Sequence, residues 1–528
     1  MAGRFHLAAM SAAAASRHAF RPVKPKNLIF CFDGTCSDPE DAVQERTSSG
    51  GLRDASITNV LKLHLLFGGD LNNGNKHKLD QQSLYYPGVG TYGHVLNRIF
   101  NAGFALTDVG RIIKTGLKDL QTYYKDGDKI FVVGYSRGAA IARRFCSVMS
   151  KEIKPEARAE VELLICFDTV ASIGMPDLNV ERRPASDVVF ENRVIASNIK
   201  QALHCVSLDE KRKAFQPTLM NTEERVTEVW FAGSHGDVGG GYRRDGLSDN
   251  VLRFVLAELK RRETGVVTIA PTAVKYDEIS AVDDEIEIEL DDLIVEANKF
   301  GISHEQSRIW PISKFTLHDR RAVKIKNDQI TNDPPVIHHT VAERIYGDDD
   351  YRPQSLKKVC HDILYPDGTT VTFDNLAHHI RIGMHPLKPL NLGETRTLPV
   401  YAHQFYNRTG LVLEAGKTYA FEAKPGQTWQ DGGIKCGAGG WDRNHPDVKW
   451  ITDIGVRVME PFRRVPGANW FCLIGAVGDH DKELFTIGTD RVTHIPSKSD
   501  EFCPFANDLK RMYANNDGFI EVNVTRLT

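Results

Sequence analysis

The chain has 528 residues, of which 41 % are hydrophobic and 26 % charged. This length and composition predict two or three globular domains and exclude a fibrous or largely disordered protein. The 66 basic and 69 acidic residues leave a net charge of −3, which argues against a nucleic-acid partner bound through bulk electrostatics. Nine scattered cysteines without a Cys-x-x-Cys pair exclude a disulfide scaffold and are typical of a reducing compartment.

The first 26 residues are basic, rich in Ala and Ser, and free of acidic residues. We expect a disordered leader here, with a transit peptide as the alternative. The continuous apolar stretch of a secretory signal is missing, and no run reaches the roughly 18–20 apolar residues of a membrane span. The sequence therefore predicts a protein that stays in the cytoplasm or is exported without a signal peptide.

From residue 27 onward, apolar strand-like runs alternate with helix-like stretches, up to about residue 245. Buried strands that alternate with helices form a parallel sheet covered on both faces, which predicts an α/β domain. Sites in such sheets lie at the carboxyl ends of strands, so the residues after each strand are the candidates. The predicted strands are Asn27–Phe32, Lys129–Val133, Glu162–Phe167 and Thr227–Phe231, and Asp108–Tyr124 is a predicted helix.

The sequence Gly134-Tyr135-Ser136-Arg137-Gly138 joins an apolar strand to an Ala-rich helix. This context predicts a nucleophile elbow, in which the two glycines leave room for a sharp turn and Ser136 is exposed in a strained conformation. The backbone N–H of Arg137 would then donate to a developing oxyanion. A plain structural turn is the alternative.

A catalytic serine needs a base and an acid that orients the base, and in α/β-hydrolases these follow in the order Ser, acid, His. Asp168 and His235 come directly after two later predicted strands, which makes them the candidates. Asp237 competes with Asp168 as the acid. His204 is the rival base, although we interpret it as a helix or packing residue.

The first strand ends in Asp33-Gly34-Thr35. An oxyanion hole needs a second N–H from an early loop, and Gly34 and Thr35 lie where they can supply it. Asp33 is alternatively a metal ligand or a phosphate-site acid, which we disfavour because no downstream acids fit such a site.

These motifs together resemble an α/β-hydrolase family that includes phospholipase effectors of bacterial type VI secretion and has fungal members. The resemblance covers about residues 26–385, and implies the triad Ser136, Asp168 and His235 acting on esters, in some members phospholipids. The motifs are Phe32–Thr35, Thr58–Val60, Tyr86–Thr91, Gly134–Ala139, Phe167–Val170, Phe231–Tyr242, and the set Leu208, Asp209, Glu210, Arg212, Phe215 and Pro217.

Residues from about 246 to 385 predict a helical and acidic insertion into this domain. Leu247–Arg262 has the pattern of an amphipathic helix, and a dense acidic run occupies Tyr276–Asp292. We interpret the run as a solvated face or loop. Strict alternation of acidic and apolar residues in Glu285–Leu290 makes a half-buried strand the alternative.

Beyond about residue 395, short β-type runs separated by Gly, Asn and Asp predict an all-β sandwich, with a domain boundary near 385–397. The predicted strands are Pro399–Phe405, Leu411–Leu413, Thr418–Ala423, Gly455–Val458, Trp470–Ala476 and Phe519–Thr525.

The segment Asn507–Gly518 gathers carboxylates and amides, the oxygen donors that calcium prefers, although Asn-Asn-Asp-Gly is also an ordinary hairpin turn. Together with Asn407–Leu411, Trp441–Asp447 and Leu473–Gly478, this loop resembles the calcium-dependent galactose-binding lectin of the PA-IL type, over about residues 397–527. The resemblance implies Ca²⁺ ligands at Asp508, Met512 (through its carbonyl), Asn515 and Asn516. It implies a sugar contact at His445, while Val448 departs from the lectin pattern.

We therefore predict a serine esterase or phospholipase that needs no cofactor for hydrolysis, with a lectin-like module for targeting. Its expected partners are a lipid or other ester, a glycan and a membrane surface. One alternative is a glycan-binding protein whose hydrolase fold is a scaffold, and another is an esterase that acts on glycan or polymer esters.

Overall fold

The computed structural model describes most of the chain, in ranges separated by gaps. Most of the leader, most of the acidic run, Thr35 and Asn515 lie outside these ranges. The described residues are 25–34, 57–71, 73, 80–88, 105–152, 159–171, 195–243, 246–276, 279, 288–304, 316–348, 350–382, 388–446, 457, 459–510, 512–513 and 516–528.

The chain divides into two compact units. The first comprises Met1–His338 and Gln354–Thr372, and the second comprises His339–Pro353 and Phe373–Thr528. The boundary near 385–397 that the sequence predicts lies inside the second unit.

The first unit is built on a nine-stranded sheet with the order β11-β10-β9-β6-β5-β4-β3-β1-β2. Every pair from β2 across to β10 is parallel. The strands are β1 (Asn27–Phe32), β2 (Gln81–Tyr86), β3 (Lys129–Tyr135), β4 (Val161–Phe167), β5 (Ala202–Ser207), β6 (Val226–Phe231), β9 (Val336–His338), β10 (His361–Leu364) and β11 (Thr370–Phe373), and β7 (Ile325–Lys326) pairs separately with β8 (Gln329–Ile330).

The register aligns the carboxyl ends of the central strands. Tyr135 pairs with Phe167, Phe167 pairs with Cys205, and Ser207 pairs with Phe231. Residues that follow β3, β4 and β6 therefore emerge at the same edge of the sheet.

Successive side chains of a strand point to opposite faces, and β1 shows why the sheet is buried on both. Leu28, Phe30 and Phe32 pack in one core with residues of α2 and α3, whereas Ile29 and Cys31 pack in another with residues of α1 and α5. The helices of this unit are α1 (Asn59–Leu66), α2 (Ala105–Tyr123), α3 (Arg137–Glu152), α4 (His235–Gly239), α5 (Gly246–Arg261) and α6 (Leu290–Leu293).

The region predicted as a helical and acidic insertion differs from that expectation. It begins with the predicted helix, now α5, but residues 336–373 add β9, β10 and β11 to the main sheet. These strands are only three or four residues long, so they give little periodic signal. Of the segment Glu285–Leu290, for which a strand is the alternative, residues 285–287 lie outside the described residues, and Leu290 begins α6.

The second unit consists mainly of antiparallel sheets around its own apolar core. The largest sheet has six strands, β17-β16-β24-β15-β21 with β13 on β24, and a four-stranded sheet is centred on β19. The elements are α7 (His339–Gly347), α8 (Leu376–Ile382), β12 (Lys388–Pro389), β13 (Thr395–Tyr401), β14 (Leu411–Leu413), β15 (Tyr419–Ala423), β16 (Trp429–Asp431), β17 (Ile434–Cys436), β18 (Gly439–Trp441), β19 (Trp470–Ala476), β20 (Leu484–Thr486), β21 (Val492–His494), β22 (Asp500–Glu501), β23 (Phe505–Ala506) and β24 (Asn516–Arg526).

The predicted order of an α/β region followed by an all-β region is thus confirmed. The predicted strand Gly455–Val458 lies outside the described residues apart from Arg457. In the part of the chain that the structure describes, no helix has the length and apolarity to cross a bilayer.

Candidate active site

Ser136 occupies the turn between β3 and α3. Its φ of +54° lies in the left-handed region, which costs a non-glycine residue about 1–3 kcal/mol and persists only where surrounding contacts enforce it. Two such contacts come from the end of β4: the Ser136 N–H donates to the Phe167 carbonyl (3.0 Å), and its carbonyl accepts from the Val170 N–H (3.2 Å). The backbone of the candidate nucleophile is therefore held by the neighbouring strand.

The two glycines of the turn are needed because backbone passes close to both. A Cβ on Gly134 would lie 2.6 Å from the Ala139 Cα, and one on Gly138 would lie 2.3 Å from the Asp33 carbonyl oxygen. Any side chain at either position would push α3 away from the sheet. The Gly-x-Ser-x-Gly spacing thus follows from steric necessity at this turn.

The structure brings Asp168 and His235 together beside this turn. His235 begins α4 directly after β6, and its Nδ1 lies 2.6 Å from the Asp168 Oδ2. Both side chains are buried. The imidazole is packed by the rings of Tyr135 and Phe215, whose centroids lie 4.8 and 5.0 Å from its own. A carboxylate in this position selects the tautomer in which Nε2 can accept a proton.

The two rival candidates have other partners. The Asp237 Oδ1 lies 2.6 Å from the His304 Nδ1, so Asp237 forms a separate buried pair. His204 lies in β5 and not in a helix; its Nδ1 is 2.9 Å from Glu228, and its Nε2 accepts from the Thr169 N–H at 3.2 Å. His204 therefore has a packing role within the sheet.

Arg320 is a residue that the sequence analysis missed. Its Nη1 donates to the Asp168 Oδ1 (2.7 Å) and its Nη2 donates to Oδ2 (2.9 Å), so the guanidinium grips both carboxylate oxygens. Burial raises the pKa of Asp168, but Arg320 and the hydrogen bond from His235 outweigh it and hold the pKa below its ordinary value. Arg320 lies 152 residues from its partner, outside every motif, so no local signal identifies it.

A second arginine–carboxylate pair lies on another side of His235. Arg212 donates to both oxygens of Glu210 at 3.0 Å, and its guanidinium stacks 3.7 Å from the centroid of Phe215. The Glu210 Oε2 also accepts from the His235 N–H at 3.2 Å. Burial raises the pKa of Glu210, and Arg212 reverses the shift so that the pKa is lowered. Burial also lowers the pKa of His235, which its bond to Asp168 opposes.

The loop after β1 lies against the candidate nucleophile. A Cβ on Gly34 would approach the Ser136 Cβ to 3.2 Å. The Asp33 carboxylate organises this loop: Oδ1 accepts from the Gly34 N–H (2.6 Å), and Oδ2 accepts from the hydroxyls of Thr58 (2.7 Å) and Tyr85 (2.6 Å). Burial raises the pKa of Asp33, while these hydrogen bonds oppose the rise.

The structure describes two of the three predicted oxyanion donors, Gly34 and Arg137. The Gly34 N–H is already bonded to Asp33, and Thr35 lies outside the described residues. Arg137 is the first residue of α3, where the partial positive charge of a helix N-terminus stabilises an anion. Within the described ranges, no group of three or more His, Cys, Asp or Glu side chains is arranged to hold a metal ion.

The candidate calcium residues of the second unit lie partly together. Asp508 is buried; its Oδ1 accepts from the Leu509 N–H (2.6 Å) and its Oδ2 from the Asn516 Nδ2 (3.0 Å). The Asn516 Oδ1 is buried without a hydrogen-bond partner. Burial raises the pKa of Asp508, against the bonds from Asn516 and Leu509. Met512 is exposed in the same loop, and Asn515 lies outside the described residues.

The candidate sugar contact His445 follows β18 in a turn. Its N–H donates to the Asp442 carbonyl at 3.1 Å, and the residue is half-buried.

Comparisons with known proteins bear on the first unit. Residues 26–153 and 146–258 match the family model described as T6SS, phospholipase effector Tle1-like, catalytic domain. The predicted family resemblance is confirmed. The matched residues include the Ser136 turn, Asp168 and His235.

Several individual proteins are similar to parts of the chain. The uncharacterised protein YEL023C of Saccharomyces cerevisiae is 26 % identical over an alignment that covers 36 % of this chain and 32 % of the yeast protein. An uncharacterised Pseudomonas aeruginosa protein of known crystal structure is 19 % identical, with a TM-score of 0.29 and coverage of 50 % of this chain and 49 % of that one. The chain thus spans about a third of the yeast protein and about half of the bacterial one.

Two further solved structures are similar to parts of the chain. The Tle1 effector bound to the VgrG spike of the type VI secretion system is 20 % identical, with a TM-score of 0.27 and coverage of 41 % of this chain and 51 % of that one. The N-terminal domain of EclA, a PllA-like lectin, is 19 % identical, with a TM-score of 0.17 and coverage of 25 % of this chain and 94 % of the lectin domain.

Proposed function

We propose that this protein is a serine hydrolase of carboxylic esters and that phospholipids are its substrate class. The hydrogen bond of 2.6 Å between His235 and Asp168, beside the strained Ser136 turn, carries the proposal. The match to a phospholipase effector family supports the substrate class. The family description likewise supports export by a type VI secretion route.

In the proposed mechanism, Ser136 Oγ attacks the ester carbonyl while His235 Nε2 takes the hydroxyl proton. Asp168 holds the imidazole in the required tautomer and stabilises the imidazolium that forms. The N–H groups of Arg137 and Thr35 bind the oxyanion. His235 then protonates the leaving alcohol, and a water activated by the same imidazole hydrolyses the acyl-enzyme. These steps use side chains, backbone and water alone.

The test compares Ser136→Ala with the wild type on phosphatidylcholine and phosphatidylethanolamine vesicles, a short-chain aryl ester and acetylated glycans. We expect Ser136→Ala to lower hydrolysis by at least about 10³-fold, with the wild type preferring the vesicles. Ser147→Ala, in the same helix α3, is the matched control and should retain activity. Hydrolysis that survives Ser136→Ala would refute the serine mechanism, and a preference for acetylated glycans would favour the glycan-ester alternative.

We also propose that the second unit binds Ca²⁺ and, through it, a glycan. The buried Asn516 Oδ1 without a partner favours this, because such an oxygen beside a buried carboxylate is a ready cation ligand. Asp508 and Asn516 would supply side-chain oxygens, completed by Asn515 and the Met512 carbonyl, and His445 would contact the sugar. Calcium here would add positive charge that polarises bound hydroxyl groups and would hold the enzyme near its target surface.

Thermal unfolding in Ca²⁺ and in EGTA tests the calcium proposal. We expect Ca²⁺ to raise the unfolding temperature of the wild type and of Asp517→Asn, an exposed carboxylate next to Asn516 in β24, but not of Asp508→Asn. An equal effect on all three proteins would contradict it. Calcium-dependent glycan binding without any Ser136-dependent hydrolysis would instead favour a glycan-binding protein on a hydrolase scaffold.

A further inference from the structure

Arg320 makes more contacts at the candidate site than a single ion pair requires. Besides both oxygens of Asp168, its Nη1 donates to the Ser207 carbonyl at 2.8 Å and its Nη2 donates to the Phe215 carbonyl. Only 3 % of the residue is exposed. One guanidinium thus joins the end of β4, the end of β5 and the loop whose Phe215 ring packs on His235.

The sharing of one oxygen is the important detail. The Asp168 Oδ2 accepts from both His235 Nδ1 (2.6 Å) and Arg320 Nη2 (2.9 Å), while Oδ1 accepts from Arg320 Nη1 and the Ser207 N–H (3.0 Å). The planar fork of an arginine fixes a carboxylate in both position and rotation. Without Arg320, the carboxylate would keep one bond at each oxygen, and its full negative charge would act on the imidazole.

The charges around His235 balance before it takes a proton. Two carboxylates, Asp168 and Glu210, bond to it, and each has its own arginine, Arg320 and Arg212 respectively. Among the described residues, the remaining titratable group packed on the ring is Tyr135, whose hydroxyl donates to the His235 carbonyl at 3.3 Å. Protonation of His235 therefore adds a net positive charge to a buried and otherwise neutral set.

We propose that Arg320 is a positioning residue for hydrolysis: it orients Asp168 toward His235 and neutralises its charge, so that His235 stays unprotonated and competent as a base at mildly acidic pH. This inference rests on the proposed function of Ser136, Asp168 and His235. Its test is the pH dependence of hydrolysis and not the presence of hydrolysis, because an arginine that served only to stabilise the fold would leave that pH dependence unchanged.

The experiment measures kcat/KM of the full-length protein for a soluble ester from pH 5 to 9 in wild type, Arg320→Gln, Arg320→Lys and Arg143→Gln. Arg143 is an equally buried arginine in α3 that donates to the Thr218 carbonyl at 3.0 Å, and serves as the matched control. Losing a neighbouring charge shifts a titration by about one to three units. We expect Arg320→Gln to move the acidic limb upward by about one pH unit, which lowers kcat/KM by up to about tenfold at pH values below the wild-type limb.

The remaining comparisons separate positioning from stability. Arg320→Lys should restore the acidic limb because it keeps the charge, but leave kcat below wild type because an ammonium lacks the planar fork. Arg143→Gln should keep the wild-type limb whatever it does to stability. An unmoved limb in Arg320→Gln, with KM and kcat changed as in Arg143→Gln, would overturn the proposal.

A second readout keeps this test independent of the proposed function. Titration of the His235 imidazole by nitrogen-15 NMR, in wild type and Arg320→Lys and Arg320→Gln, requires no substrate. If no Ser136-dependent hydrolysis is found, the proposed function fails, and the NMR titration still decides the role of Arg320. If Arg320→Gln does not fold, Arg320→Met, which removes the charge but keeps an unbranched side chain, takes its place in the same pH series. An unmoved acidic limb in that variant would refute the proposal.

Discussion

Replacing Gly138 with alanine tests whether close backbone contact holds the Ser136 turn in place. The added Cβ would lie 2.3 Å from the Asp33 carbonyl oxygen and 2.4 Å from that of Phe32. A carbon atom normally stays about 3.3 Å or more from an oxygen. The start of α3 must therefore retreat from β1 by about 1 Å, because neither obstructing atom belongs to a flexible side chain.

A displacement of this size leads to an expected loss of stability and an expected loss of rate. Overpacking of this kind costs about 1–3 kcal/mol, which lowers the unfolding temperature of a domain of this size by roughly 1–4 °C. A shift of about 1 Å in a catalytic group costs on the order of 10²-fold in rate. We therefore expect a folded, moderately destabilised protein whose kcat for a soluble ester falls about 100-fold.

The assay pairs thermal unfolding with ester hydrolysis, and Gly110→Ala is the control. Gly110 lies exposed in α2, and a Cβ added to it would meet no atom within 4 Å. Alanine there should stabilise the helix by up to about 1 kcal/mol and leave hydrolysis unchanged. Wild-type kcat in Gly138→Ala would show that the packing of this turn does not position the nucleophile.

Three further predictions concern the buried pairs around the site. Asp168→Asn should lower kcat by about 10³–10⁴-fold with little change in KM. Because the change leaves Arg320 without a countercharge, it should also destabilise the protein by about 3–5 kcal/mol in urea unfolding. A smaller loss of stability would mean that water replaces the carboxylate. The pKa of His235 is lowered in the folded state. Its contribution to the free energy of unfolding is therefore complete above the ordinary histidine pKa of about 6.5 and is lost as pH falls through the pKa of the folded state. The unfolding temperature of wild type should therefore fall more between pH 7.5 and 5 than that of His235→Gln, and equal slopes would contradict this. His304→Ala should cost about 3 kcal/mol in the same urea assay by leaving Asp237 buried with fewer partners, whereas a change below 1 kcal/mol would indicate that the pair is dispensable.

The sequence was sufficient wherever a strand is apolar throughout. The predicted bounds of Asn27–Phe32 and Trp470–Ala476 are those of β1 and β19. Two buried strands of the nine-stranded sheet, β2 and β5, were not predicted, because polar side chains interrupt the apolar pattern of their sequences. Those side chains are satisfied by distant partners: the Gln81 Nε2 donates to the Phe67 carbonyl at 2.8 Å, and His204 contacts Glu228. No local pattern encodes such partners.

The same distinction applies to the candidate site. Ser136, Asp168 and His235 each follow a strand, so topology alone brings them to one edge of the sheet. Arg320 has no such signal, since Asp319-Arg320-Arg321 resembles a solvated charged loop and the partner of Arg320 is determined only by the folded chain. The charge balance around His235 was therefore beyond sequence analysis, even though its proposed partners Ser136 and Asp168 were not.

The left-handed backbone of Ser136 has a consequence for how this protein changes under selection. Glycine adopts a φ of +54° without steric cost, so the residue that carries the proposed chemistry is also one that the fold would replace at a gain in stability. Variants enriched by resistance to heat alone would tend to acquire glycine at this position and lose hydrolysis. Heat-stable but inactive variants are thus easily reached when activity is not under selection. A directed-evolution experiment for stability must therefore select for ester hydrolysis in every round.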